Sequence, residues 1–245
     1  MSAGLHFDTT VSTTASDGSH LLRGKALTEC IDDADFVSTF FLSLTGREPT
    51  QVESRLLNAM LVASLDHGVE PSSMFVPRVV ASTGNEMLHC MATSLLALGP
   101  LHGGAITGAM EMFYSLKDKE DKEQACVQLV EEFRAKKKRV PGYGHPKYKD
   151  KTTGDPRAQQ LLQMAEKGGL DTSVTMTARI LENTLEWKLN KVLVLNIDGA
   201  MAALLTTFGI APEAGNGIFG VARVAGSIAH IVEEQESDAG VRRLA

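Results

Sequence analysis

The stretch GIFGVARVAGSIAHIVEEQ, Gly217 to Gln235, carries small and apolar residues three and four positions apart. That is the period of a helix with one face against a core. Arg223 interrupts the apolar face, where an unpaired charge is costly, so burial against an anion is its better explanation. His230 lies in the same apolar setting, matches no chemical pattern and reads as structural.

The same period recurs along most of the chain. It marks Asp35 to Leu44, stopped at Gly46, and Leu56 to Leu65, entered through Thr50 and Glu53 at capping-box spacing. It continues in Met87 to Leu98, Ala105 to Leu116, Lys122 to Lys138, Arg157 to Lys167, Val174 to Leu189 and Ala200 to Phe208. Lys191 to Asp198, KVLVLNID, fits a buried strand or part of a buried helix equally well. The Ser- and Thr-rich first twenty residues, His6 among them, read as a loosely held arm. Aromatic residues are scarce at 5%, and Ala, Leu, Gly and Met are plentiful, which favours packed helices over a β-sandwich. The expected fold class is all-α.

At 245 residues, 43% apolar and 22% charged, the chain has the size and composition of a globular protein with a sizeable core. No segment approaches the roughly 20 apolar residues that span a bilayer. The N-terminal stretch has no apolar core of the signal-peptide kind. Cys30, Cys90 and Cys126 are odd in number and form no CxxC pair, so neither a disulfide framework nor a cysteine metal site is expected. These features point to a cytoplasmic protein with no membrane partner.

Positive charge is concentrated in one place. From Arg134 to Lys151 eight basic residues face one acid, giving +7; the overall −6 leaves −13 for the remainder. Such a remainder repels an extended nucleic acid, whereas a compact polyanion can sit against the patch alone. The patch runs into VPGYGHPKYKDKTTGDPRA, Val140 to Ala158, where glycines flank His145 and let backbone approach a ligand closely. An exposed basic loop with an idle histidine is the plain alternative.

Three further polar sites interrupt the helical background: Asp66-His67-Gly68, Leu101-His102-Gly103-Gly104 and Asn196-Ile197-Asp198-Gly199. Each sets an ionisable group where an apolar element ends. Singly, each reads as a cap or a satisfied core residue. Together they supply three imidazoles that titrate near neutrality and a carboxylate that burial makes a useful base. Zinc is a poor fit, because HExxH spacing is absent; GxSxG is absent too, and no strand leads into GxGxxG.

GPLHGGA (Gly99 to Ala105), GYGHPKYK with DPRA (Gly142 to Ala158), NIDG (Asn196 to Gly199) and IFGVARVAGSIAHIVEE (Ile218 to Glu234) occur in the order and approximate spacing of the citrate synthase superfamily. The resemblance runs from Gly24 onward and includes LTGREPT and Asp66 to Gly68. The compact chain is most similar to stand-alone citryl-CoA lyases and to the C-terminal module of ATP-citrate lyase. The resemblance implies a helical homodimer, or a dimer-based oligomer, with the active site in a cleft between two domains. The large domain would comprise 21–104 and 206–245 and the small domain 105–205, with 1–20 as the arm.

By resemblance, His102 stabilises the enol or enolate of acetyl-CoA, and Asp198 exchanges a proton with its methyl carbon. His145 polarises the oxaloacetate carbonyl or, in reverse, handles the citryl hydroxyl proton. His67, Arg157 and Arg223 bind the carboxylates of oxaloacetate or citrate, and Arg243 reaches into the neighbouring subunit, with Arg242 as the alternative. Arg139, Pro141, Gly142, Tyr143, Gly144, Lys147, Lys149 and Lys151 are the expected coenzyme A contacts. The implied reaction is a retro-Claisen cleavage of citryl-CoA, with no metal and no tightly bound cofactor, since coenzyme A arrives as the substrate thioester. A short citrate synthase, an enzyme for another 3-hydroxy-3-carboxyacyl-CoA and a non-catalytic CoA-binding module are the alternatives.

Overall fold

The capping box at Thr50 is closed in the computed structural model of the chain, which describes residues 7–33 and 35–243. The Glu53 amide donates to Thr50 Oγ1 (3.2 Å), and the Thr50 amide donates back to Glu53 Oε2 (2.8 Å). Asp35, Asp121, Asp155 and Asn196 open further helices with side-chain caps, and the chain divides into two compact units, Met1–Asn58 and Ala59–Ala245.

In the first unit an antiparallel meander joins β1 (Ser12–Thr14), β2 (His20–Leu22) and β3 (Lys25–Ala26). Arg23 and Gly24, both at positive φ (51° and 85°), form the two-residue turn between β2 and β3. The stretch expected as a loose arm therefore contributes paired strands from Ser12 onward; His6 lies outside the described residues. Helices α1 (Leu27–Asp33) and α2 (Phe36–Thr45) follow, and α3 (Gln51–Leu65) begins in this unit. Asp35 caps α2 by accepting from the Ser38 amide at 2.8 Å, and Gly46 ends it at φ 76°.

The second unit holds α4 (Ser72–Ala81), α5 (Met87–Leu96), α6 (Ala105–Leu116), α7 (Lys122–Ala135), α8 (Pro156–Lys167), α9 (Ser173–Leu189), α10 (Ile197–Thr207) and α11 (Gly215–Gln235). Helix α10 is the axis: it packs on α6, α8 and α9, and every residue from Ala200 to Leu205 is fully buried. A helix apolar on all sides belongs inside a core, and this one does. Helices α4, α5 and α11 pack together as a second group, and α11 also lies against α6. No described helix is long and apolar enough to cross a membrane.

Three elements differ from the sequence reading. Helix α4 has no counterpart in it, because Pro77 inside the helix breaks the expected signal. The helix from Lys122 ends at Ala135, and Lys137 turns left-handed at φ 53°. The ambiguous KVLVLNID is neither a sheet strand nor wholly helix. Its middle is extended, Leu195 bridges Tyr143, and Asn196 then caps α10 by accepting from the Gly199 amide at 3.1 Å.

Candidate active site

Each candidate residue stands at the end of an element or at the centre of one contact. His67 follows α3, in a turn where Asp66 Oδ1 accepts the His67 and Gly68 amides at 2.7 and 3.1 Å. His102 occupies the loop between α5 and α6. There Gly99 and His102 exchange backbone hydrogen bonds of 2.8 and 2.9 Å, and a Cβ on Gly104 would meet Gly99 O at 2.4 Å. Glycine is required at that close approach.

His145 lies in the loop between α7 and α8. Its Nδ1 accepts the Lys147 and Tyr148 amides at 3.0 and 3.3 Å, so in the neutral ring Nε2 carries the proton and is the free donor. Its ring stands edge-on to that of His67, with centroids 6.3 Å apart. Arg157 is in the first turn of α8, and Asp198 is in the first turn of α10.

Arg223 sits in the middle of α11 and is 3% exposed. Its Nε donates to Ser64 O at 3.0 Å and its Nη1 to Ser73 Oγ at 3.3 Å, but it makes no ion pair among the described residues. A buried guanidinium with neutral partners calls for an anion from outside the chain. Ser73 Oγ also lies 2.9 Å from His102 Nε2. Since Ser73 already accepts from Arg223, its own hydrogen is available for His102 Nε2. That leaves Nδ1–H as the imidazole's donor. Ser73 is a member of the site that its sequence context, an ordinary serine in a helix, does not reveal.

The electrostatics show that these groups face one another. Burial lowers the His67 pKa below the usual histidine value, helped by the charges of Arg157 and Arg223. Burial lowers that of His102 as well, with Arg223 and His67 adding to the effect. His145 is lowered by burial, opposed by Asp155 and reinforced by Arg157, His67 and Lys147. Three imidazoles, each biased toward its neutral form, therefore lie within electrostatic reach of one another. Burial raises Asp198 from the ordinary 3.8 to about 6, although Arg157 and Arg223 pull it down. An acid with that value can give a proton and take it back near neutrality.

Beside His145 opens a cavity of about 680 Å³ with an apolar floor that includes Phe133 and Leu185 and a rim that includes Arg134, Lys137 and Lys138. Of the expected coenzyme A contacts, Arg139, Tyr143, Gly144 and Lys149 line it. The others are placed differently. Lys151 pairs with Glu186, and Lys147 lies over the Tyr148 ring at 5.6 Å. Pro141 is against Gly108, and Gly142 is against Gly199. Tyr143 is buried and spends its hydroxyl on Ala178 O at 2.8 Å.

Arg243 is exposed. Arg242 is held within its own chain by Glu234, a buried carboxylate that also takes Arg78. Of the two, Arg243 makes no ion pair among the described residues.

The helical fold and this cluster of three histidines, a raised carboxyl and a buried arginine define the class as the citrate synthase type. Residues 9–244 match the family model "Citrate synthase, C-terminal domain", and the chain belongs to the citrate synthase family. Among curated proteins it is 30% identical to citrate synthase 2 of Bacillus subtilis over 91% of this chain and 59% of that protein. The chain thus spans little more than half the length of the curated relatives it matches. Among solved structures, citryl-CoA lyase from Hydrogenobacter thermophilus is 34% identical with a TM-score of 0.88, over 98% of this chain and 91% of that one. Citrate synthase from Thermoplasma acidophilum, solved with carboxymethyl coenzyme A and oxaloacetate, is 29% identical with a TM-score of 0.70, over 87% of this chain and 56% of that one.

Proposed function

We propose that the protein is a citryl-CoA lyase, cleaving citryl-CoA to acetyl-CoA and oxaloacetate in a retro-Claisen reaction without a metal. The supporting observation is the likeness to the Hydrogenobacter citryl-CoA lyase, which exceeds that to the citrate synthases in both identity and TM-score. Cleavage moves electrons from the breaking carbon–carbon bond onto the thioester, and His102 Nδ1–H stabilises the oxygen where that charge develops. Asp198, in its acid form, then protonates the enol carbon. His145 steadies, through Nε2–H, the oxygen that changes from hydroxyl to carbonyl; the hydroxyl proton passes to water, and water later returns a proton to Asp198, so the protons balance.

Arg223 and Arg157 take the carboxylates, with His67 between them, because a guanidinium fork matches a carboxylate in two hydrogen bonds. Coenzyme A enters by the cavity beside His145, its phosphates on the basic rim. The substrates lie in a cleft between 105–205 and the rest of the helical body. The same reading makes the protein a homodimer to which Arg243 contributes in trans. The three cysteines are free and buried, which fits a reducing compartment such as the cytoplasm.

Condensation of acetyl-CoA with oxaloacetate followed by thioester hydrolysis is the second reading, favoured by the curated relatives, which are synthases. Two incubations separate them. The lyase releases oxaloacetate from citryl-CoA, detected by its reduction with NADH. Free coenzyme A and citrate from acetyl-CoA plus oxaloacetate, with no cleavage of citryl-CoA, would sink the lyase reading.

A further inference from the structure

Asp155 is 0% exposed, and its carboxylate binds only Arg157 and Ile197 among the described residues. Oδ1 accepts the Arg157 amide and Arg157 Nε, both at 3.1 Å. Oδ2 accepts Arg157 Nη2 at 2.9 Å and the Ile197 amide at 3.1 Å. One carboxylate thus grips the side chain of Arg157 on α8 and the first residue of α10, immediately before Asp198. We propose that Asp155 is a positioning residue that fixes the Arg157 guanidinium and the amino end of α10 at one spacing, so that carboxylate anchor and acid keep register. This rests on the reading of Arg157 and Asp198 as substrate anchor and acid.

The geometry carries more than a helix cap requires. A cap needs one oxygen for one amide, and asparagine does that about as well as aspartate. Here both oxygens are used, three of the four bonds go beyond the cap, and two of them form a planar fork with guanidinium nitrogens. The fork fixes the plane in which Arg157 is presented. Nη1 makes no hydrogen bond among the described residues and remains for a substrate carboxylate. The Ile197 bond satisfies an amide at the start of a helix, where no intrahelical acceptor exists. A buried carboxylate with these partners is rigid, because loss of any bond leaves a charge unsatisfied.

Asp155→Asn separates the two roles. The cap survives, but the charge and one acceptor go. The charged groups acting on Asp198 are Arg157 and Asp155 from the start of α8 and Arg223 from α11. Asp155 pushes the Asp198 pKa up, and Arg157, freed of its counter-charge, pulls it down further. The variant should therefore move the alkaline limb of the cleavage rate to lower pH. It should also raise the KM for citryl-CoA and the Kd for oxaloacetate by on the order of tenfold or more, as misplacement of a binding group does.

A folded variant with unchanged limb and unchanged binding would reduce Asp155 to a cap and overturn the proposal. If the wild-type protein turns over neither substrate set, the functional reading fails, and calorimetry with oxaloacetate still decides the positioning. Should the variant not fold, amide exchange in the wild-type protein serves. Ile197 should exchange slowly, and fast exchange there overturns the anchor.

Discussion

Gly142 and Gly199 meet backbone to backbone: a Cβ on Gly142 would lie 2.6 Å from Gly199 Cα, and one on Gly199 would lie 2.4 Å from Gly142 O. Around this contact the Gly144 amide donates to Val194 O (2.7 Å), the Asn196 amide to Gly142 O (3.1 Å) and Asn196 Nδ2 to Gly144 O (2.9 Å). The loop bearing His145 is thereby fastened to the helix start bearing Asp198. Gly199→Ala must push them apart, because the obstacle is backbone. It should cost about 1–3 kcal/mol, as overpacking does, and lower kcat at least about tenfold. Gly217→Ala, in open space, is the control and should leave both unchanged. Thermal melts and cleavage rates check the pair.

Ser73→Ala removes the hydroxyl that joins His102 Nε2 to Arg223. His102 then keeps its place in the Gly99 turn but loses the partner that fixes its tautomer. The enolate donor is weakened while the carboxylate anchors remain. The expected result is a fall in kcat of about 10- to 100-fold with KM changed much less, in the range for a group that orients a catalytic residue. A rise in KM at constant kcat would instead make Ser73 a binding residue.

The helices were legible because their apolar period survives in the sequence, and caps such as Asp35 and Thr50 act within three residues. Ser73 was not, because its meaning comes from His102 and Arg223, 29 and 150 residues away. The role of Asp155 was hidden for the same reason: its Ile197 partner is 42 residues on. The basic loop shows the converse. Lys147, Lys149 and Lys151 are neighbours in sequence, yet only Lys149 lines the cavity. Charge density marked the region, and the different directions of its side chains were invisible to it.

That difference is testable. Lys149→Glu places a negative charge on the cavity wall and should raise the KM for acyl-CoA about tenfold or more, the effect weakening with salt. Lys151→Glu breaks a surface pair with Glu186 and should change KM by less than about threefold, since such pairs contribute little. Equal effects from the two would mean that coenzyme A approaches by another route.

The outer face of α5 and the turn after it carry large apolar side chains in solvent: Leu88 at 75%, Leu96 at 82% and Leu101 at 98% exposure. A monomer gains nothing from such a surface, and a second copy of the chain covering it fits the proposed homodimer. Leu96→Asp should yield a monomer in sedimentation that retains its helical circular dichroism. If Arg243 acts in trans, that monomer is inactive, and an active monomer removes Arg243 from the site.

Asp198 links activity to stability, with a sign that can be worked out. Its carboxyl holds a proton up to about pH 6 in the folded chain, whereas the unfolded chain releases it near 3.8. Between those values folding takes up a proton, so stability declines as pH rises through the window and stays lowered above it. Two units correspond to about 2–3 kcal/mol, an order of magnitude for a carboxylate kept charged in a recessed site. Asp198→Asn removes that charge. At pH 7.5 the variant should melt about 5 °C or more above the wild type, and the gain should shrink as pH falls toward 4, where the folded wild-type carboxyl is protonated and the unfolded one is becoming so. Turnover should fall by about 10³-fold or more, while acyl-CoA binding persists, because the lost group serves the proton transfer. A gain equal at both pH values would show that the buried charge is not its source.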